Sequence, residues 1–107
     1  MITAIVLYRL PASINRDACA AWFAKITENF QDVPGLLRKQ FIWSENGTAG
    51  GVYLWTDIAS AKAFYSGPWL DGILERYGAY PEIQYFETTA ITDNTAGTID
   101  VLERGTG

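Results

Sequence analysis

The sequence predicts an α+β sandwich, an antiparallel sheet with helices packed on one of its faces. Three observations carry that prediction. Apolar periodicity along the 107 residues gives the order strand, helix, strand, strand, helix, strand. Asn46-Gly47 stands between two strand-like runs, the strongest short-range hairpin signal in the chain. The first and third strands are apolar on both faces, so each face of the sheet needs a cover.

Residues 2–9, from Ile2 to Arg9, form a nearly continuous apolar run rich in β-branched residues and too short for a helix. Pro11 ends that strand. Ser13 or Asn15 can cap a helix reaching about Phe30, with Ala18, Cys19, Trp22, Phe23, Ile26 and Phe30 on one face and charged residues opposite. Asp32-Val33-Pro34-Gly35 reads as a turn into a second strand over residues 36–43. After Asn46-Gly47, the third strand runs from Gly50 to Trp55, with Tyr53 and Trp55 on one face. Asp57 caps a second helix carrying Ile58, Ala61, Phe64 and Tyr65, closed by Gly67-Pro68, and a short helical piece from Trp69 to Tyr77 ends at Gly78. Pro81 introduces a fourth strand over residues 82–91, with Ile83 and Tyr85 on one face and Phe86 on the other.

This order fits a ferredoxin-like βαββαβ sandwich with both helices on one face of an antiparallel sheet. A second sheet from another copy of the chain is the natural cover for the opposite face. Residues 1–94 make up this domain, and 95–107 read as a polar tail broken only by Ile99, Val101 and Leu102.

Composition narrows the function classes. Four Trp, six Tyr and five Phe in so short a chain must serve core, subunit interface or pocket. A net charge of −4 without a run of Lys or Arg argues against nucleic acid as a partner. No apolar run is long enough to span a membrane, and the N-terminus lacks the features of a secretory signal, so a cytoplasmic protein is expected. A single cysteine, Cys19, agrees with a reducing compartment and reads as a small buried hydrophobe. With no histidine and one cysteine, the usual zinc, non-haem iron and Cys/His nucleophile sets cannot be assembled, and Gly50-Gly51 opens a strand, not a phosphate-binding helix N-terminus. No cofactor is expected. Asp57 reads as a helix cap and the paired glycines as a bulge or close backbone approach.

The runs Asp32-Val33-Pro34-Gly35-Leu36-Leu37, Gly50-Gly51-Val52-Tyr53-Leu54-Trp55-Thr56-Asp57 with Ser60-Ala61-Lys62-Ala63-Phe64, and Phe86-Glu87-Thr88 resemble the YdhR-type monooxygenase family. The resemblance spans roughly residues 2–94. It implies a dimeric α+β barrel, the superfamily that also holds antibiotic-biosynthesis-type monooxygenases and some polyketide cyclases. It further implies a homodimer with a pocket in each subunit between sheet and helices. Relatives that use a histidine as base or haem ligand offer no template, because Trp69 and Leu70 follow the Gly67-Pro68 break here.

The expected activity is cofactor-independent oxygenation of a hydrophobic aromatic or polyketide-like small molecule. Such a substrate supplies its own electrons to oxygen once deprotonated, and needs a dry pocket with donors for the enolate. Strand parity, with the helix-facing side taken from the resemblance, gives Tyr8, Trp22, Phe23, Phe64, Trp69 and Tyr85 as substrate-binding residues and Tyr53 and Trp55 as catalytic candidates. A regular two-residue hairpin at Asn46-Gly47 adds Arg38 to the catalytic set and Gln40 to the binding set; a bulge instead turns Lys39, Phe41 and Trp43 inward. A non-catalytic binding module and a cyclase or isomerase are the competing readings.

Overall fold

A computed structural model describes residues 1–103. β1 (Ile2–Arg9) is followed by α1 (Arg16–Ile26), a 3-10 turn (Thr27–Phe30), β2 (Leu36–Ser44), β3 (Thr48–Trp55), α2 (Ile58–Phe64), α3 (Gly67–Tyr77) and β4 (Glu82–Glu87). These four strands form one antiparallel sheet in the order β2-β3-β1-β4, the expected ferredoxin-like arrangement. Two short strands, β5 (Ala90–Asp93) and β6 (Thr98–Val101), pair with each other in a separate hairpin.

α1 and α2 each begin where a side chain takes up orphan backbone donors. Asn15 Oδ1 accepts from the Ala18 amide at 2.9 Å and Asp57 Oδ1 from the Ser60 amide at 2.7 Å. The Ser60 hydrogen bonds hold the Asp57 carboxyl below its usual range. α1 stops as an α-helix at Ile26, short of the expected Phe30, where the Thr27 hydroxyl bonds back to the Ala24 carbonyl and the chain tightens into the 3-10 turn. Pro68 opens α3 and Gly78, at φ 73°, caps its end.

The β2–β3 connection departs from the two-residue hairpin. The Gly47 amide bonds to the Ser44 carbonyl at 3.1 Å, Gly47 takes φ 85°, and Ser44 pairs directly with Thr48. Residues 45–47 therefore make a three-residue loop with glycine in the left-handed position. This register sets Lys39 opposite Tyr53, Phe41 opposite Gly51 and Trp43 opposite Ala49. Arg38 lies opposite Leu54 and Gln40 opposite Val52, on the face away from the helices.

The fourth strand also ends earlier than its sequence pattern suggests. Thr88 still follows the β1 register, its amide donating to the Met1 carbonyl at 2.9 Å, and residues 90–93 then leave the main sheet to pair with 98–101. Asp93 Oδ1 accepts from the Thr95 and Ala96 amides and Gly97 takes φ 69°, so local turn chemistry folds part of the expected polar tail. No described helix is long and apolar enough to cross a membrane.

The core lies between the sheet and the helices. Ala4, Val6 and Tyr8 of β1 meet Tyr53 and Trp55 of β3, Cys19 and Phe23 of α1, and Ala61, Tyr65 and Tyr77 from the second helical layer. Trp55 is fully buried, its indole N–H donating to the Tyr65 hydroxyl at 3.0 Å and its ring flanked by Tyr53, Phe64 and Tyr65. That bond matters because an unpaired buried donor costs about 1–3 kcal/mol.

Gly50 and Gly72 make opposite predictions. Gly50 takes φ 157°, and a Cβ there would run into the Val6 carbonyl of the neighbouring strand. Gly50→Ala lowers stability in urea unfolding by at least about 2 kcal/mol. A Cβ on Gly72, inside α3, meets nothing within 4 Å. Gly72→Ala raises stability by about 0.5–1 kcal/mol, the ordinary helix gain; a loss there contradicts the described packing.

Candidate active site

A cavity of about 440 Å³ opens between the helix-facing side of the sheet and the helical layer. This is within the range of small-molecule sites. Its floor comes from three adjacent strands: Tyr8 of β1, Tyr53 of β3 and Lys39 of β2. One wall is Trp22 and Ile26, a turn apart on α1, continued by Asn29 and Phe30 of the 3-10 turn. Phe64 of α2 and the start of α3 close the opposite side. α3 presents Trp69, Gly72, Ile73 and Arg76, the i, i+3, i+4, i+7 series of one helix face, and ends on Tyr77, whose ring stacks on Tyr8 at 4.3 Å.

Lys39 is the polar centre of this apolar enclosure. Its Nζ lies 3.5 Å from the ring centroid of Phe30, 3.8 Å from that of Phe41 and 4.7 Å from that of Tyr53. The stem reaches that position because residue 51 has no side chain: a Cβ on Gly51 would stand 2.8 Å from Lys39 Cε and 2.8 Å from Tyr53 Cε1. Two forces compete over the proton. Three ring faces favour the ammonium by at most about 2 kcal/mol, whereas burial favours the neutral amine by up to several pKa units. Burial wins, and the amine is brought down from its ordinary 10.5 to about 7.

The phenols respond in the other direction. Burial pushes the Tyr8 and Tyr53 hydroxyls well above their ordinary range, reinforced at Tyr8 by Tyr77 and opposed at Tyr53 by a hydrogen bond with Trp69. Both stay protonated across neutral pH and serve as O–H donors. At the mouth, the exposed Arg76 guanidinium lies 3.5 Å from the centroid of the Trp22 ring. No group of three or more His, Cys, Asp or Glu side chains among the described residues is placed to hold a metal ion. The arrangement can take up an aromatic ligand, remove a proton through Lys39 and hold a developing oxyanion with phenol donors.

The sequence-derived candidates divide. Tyr8, Trp22, Tyr53, Phe64 and Trp69 line the cavity. Trp55 lies behind Tyr53 in the core, Phe23 packs against Phe41 at 5.1 Å, and Tyr85 sits beside Tyr65 at 6.2 Å; none of these three reaches the cavity. Arg38 and Gln40 are on the other side of the sheet, bonded to each other at 3.3 Å in a shallow depression beside Thr88 and Ala90. The three-residue loop is the physical reason, since one added loop residue inverts which side chains of β2 face the helices. From sequence, Lys39 is a candidate only as the bulged alternative, and Asn29, Arg76 and Tyr77 are not site candidates. The spacing of Trp69, Gly72, Ile73 and Arg76 was the available signal for the α3 wall.

No curated protein matches the chain. Among solved structures, a protein of unknown function from Nitrosomonas europaea superposes with TM-score 0.70 at 16% identity, over 85% of this chain and 91% of that one. An antibiotic biosynthesis monooxygenase from Deinococcus radiodurans, itself named as putative, gives 0.65 at 11% identity, over 87% and 97%. A mutant of MhuD, solved with two manganese protoporphyrin IX molecules per active site, gives 0.65 at 16% identity, over 88% and 100%. At such identities the likeness is one of fold. The family model for "Putative mono-oxygenase ydhR" matches residues 8–97, and the chain belongs to that family.

Proposed function

We propose that the protein is a cofactor-independent monooxygenase of a hydrophobic aromatic or polyketide-like small molecule, with Lys39 as its general base. The observation that carries this reading is a single amine, with a pKa brought to about 7, set among aromatic rings in a cavity of about 440 Å³. A base poised near the working pH is the group such chemistry requires.

For an anthrone-type methylene the steps balance. The neutral Lys39 amine takes a C–H proton, and Tyr8 or Tyr53 donates a hydrogen bond to the enolate oxygen. The enolate passes one electron to O2, and the radical pair joins carbon to oxygen. Lys39 returns its proton to the peroxide, which eliminates water as the carbonyl forms. In sum, CH2 and O2 become C=O and H2O. The same base acting without oxygen would isomerise or cyclise its substrate, so oxygen uptake separates the two readings.

The proposed enzyme is a homodimer. The sheet face away from the helices carries Ile5, Leu7, Ile42, Val52 and Leu54, with Phe86 half exposed beside them, and β6 holds Ile99 and Val101 out to solvent. A second copy laid sheet to sheet covers these side chains.

Two outcomes test the proposal. Purified protein consumes oxygen with anthrone in proportion to the carbonyl product. Its kcat/KM is about tenfold higher at pH 8 than at pH 6, because the active amine is the deprotonated form, and Lys39→Met lowers it about 100-fold or more. A rate that is flat over this range, or unaffected by Lys39→Met, rules out the base. In sedimentation at micromolar concentration the protein has twice the mass of one chain; a monomer at that concentration contradicts the dimer.

A further inference from the structure

Charge at the cavity runs against the charge of the chain. The sequence holds 12 acidic and 8 basic residues, yet the cavity is lined by Lys39 and Arg76 and by no Asp or Glu. Lys25, exposed and outside the lining, has its Nζ 5.7 Å from the same Trp22 ring that Arg76 covers. Glu28, Asp71 and Glu75 are chain neighbours of lining residues, but all three are exposed and outside the lining.

Arg76 is held without being neutralised. Gly72 and Ile73 occupy the helical positions four and three residues before it, so neither position offers a carboxylate. The ion pair found among the described residues joins Arg16 to Asp17, on the exposed surface. Stacking on Trp22 uses a flat face of the guanidinium and leaves its N–H edge available, the edge that matches a carboxylate with two parallel hydrogen bonds. Trp22 also limits the rotamers open to Arg76, reducing the entropy lost on binding.

We infer that the cavity is specific for an aromatic acid, whose carboxylate docks on Arg76 at the mouth while its rings lie among the aromatic side chains that line the interior. The inference rests on the proposed function for the aromatic part of the ligand and adds the anionic group. It also separates the two cations. Arg76 anchors through its guanidinium edge, while Lys39, on the β2 side of the floor, is left to move a proton.

Calorimetric titration with 2-naphthoate and its neutral isostere 2-naphthamide tests this. Wild-type protein binds the acid at least about tenfold more tightly than the amide at low salt, and the ratio shrinks as salt rises. In Arg76→Gln the ratio falls below about threefold, whereas amide affinity stays within about threefold of wild type, which shows that the cavity is intact. Equal affinity of wild type for the two ligands, or an unchanged ratio in Arg76→Gln, overturns the inference and leaves the aromatic cavity standing. Failure of both to bind overturns the aromatic reading and the inference with it.

Discussion

Register between β2 and β3 is the constraint on which the site depends. Ser44 pairs with Thr48 because residues 45–47 form a loop with Gly47 in the left-handed region, and everything along β2 follows from that pairing. Lys39 then faces the helices, and Arg38 and Gln40 face away. A slip of one residue would exchange them, placing a guanidinium and an amide among the rings and moving the lysine to the outer face. The extra residue at Leu37, where the pairing shifts between Leu36 and Arg38, confines the irregularity to the start of the strand and leaves Lys39 opposite Tyr53.

Holding Lys39 there has a cost that other features offset. The unfolded chain keeps the lysine proton up to the ordinary 10.5, whereas the folded protein releases it at about 7. Between those values the unfolded state binds more protons, so stability rises with pH across that window, and below it the full penalty of a few kcal/mol is present. The rings of Phe30, Phe41 and Tyr53 return part of this through their faces, and Gly51 admits the stem without displacing the sheet. A structural role alone would be met more cheaply by an apolar side chain of similar length, which is a physical reason to regard Lys39 as functional.

Much of the fold was legible because its signals are local and mutually consistent. Asn15 and Asp57 cap helices as their types suggest, Gly78 ends one, and alternation in β1 and β3 puts Ala4, Val6, Tyr8, Tyr53 and Trp55 on one face. The site was legible only where it follows from that alternation. Whether residues 45–47 or only 46–47 make the loop depends on backbone dihedrals that Asn-Gly supports in either form, and this decided Arg38 and Gln40 against Lys39. Trp55 and Tyr53 share a parity, but depth is set by what covers each one. Tyr65 and Phe64 seal Trp55 into the core, while Tyr53, also buried, borders the cavity. The β5–β6 hairpin escaped notice because Ala90 and Ile91 read as the end of the preceding strand and its turn rests on one carboxylate, Asp93.

The most direct test of the central claim is the ionisation of Lys39 itself. In protein labelled with 13C at lysine, the Cε–Hε resonance missing from Lys39→Met belongs to Lys39, and its shift can be followed from pH 5 to pH 11. The account predicts a midpoint of about 7. A midpoint at the ordinary value of 10.5 would mean that the amine is solvated and charged at neutral pH, and would contradict its assignment as the base.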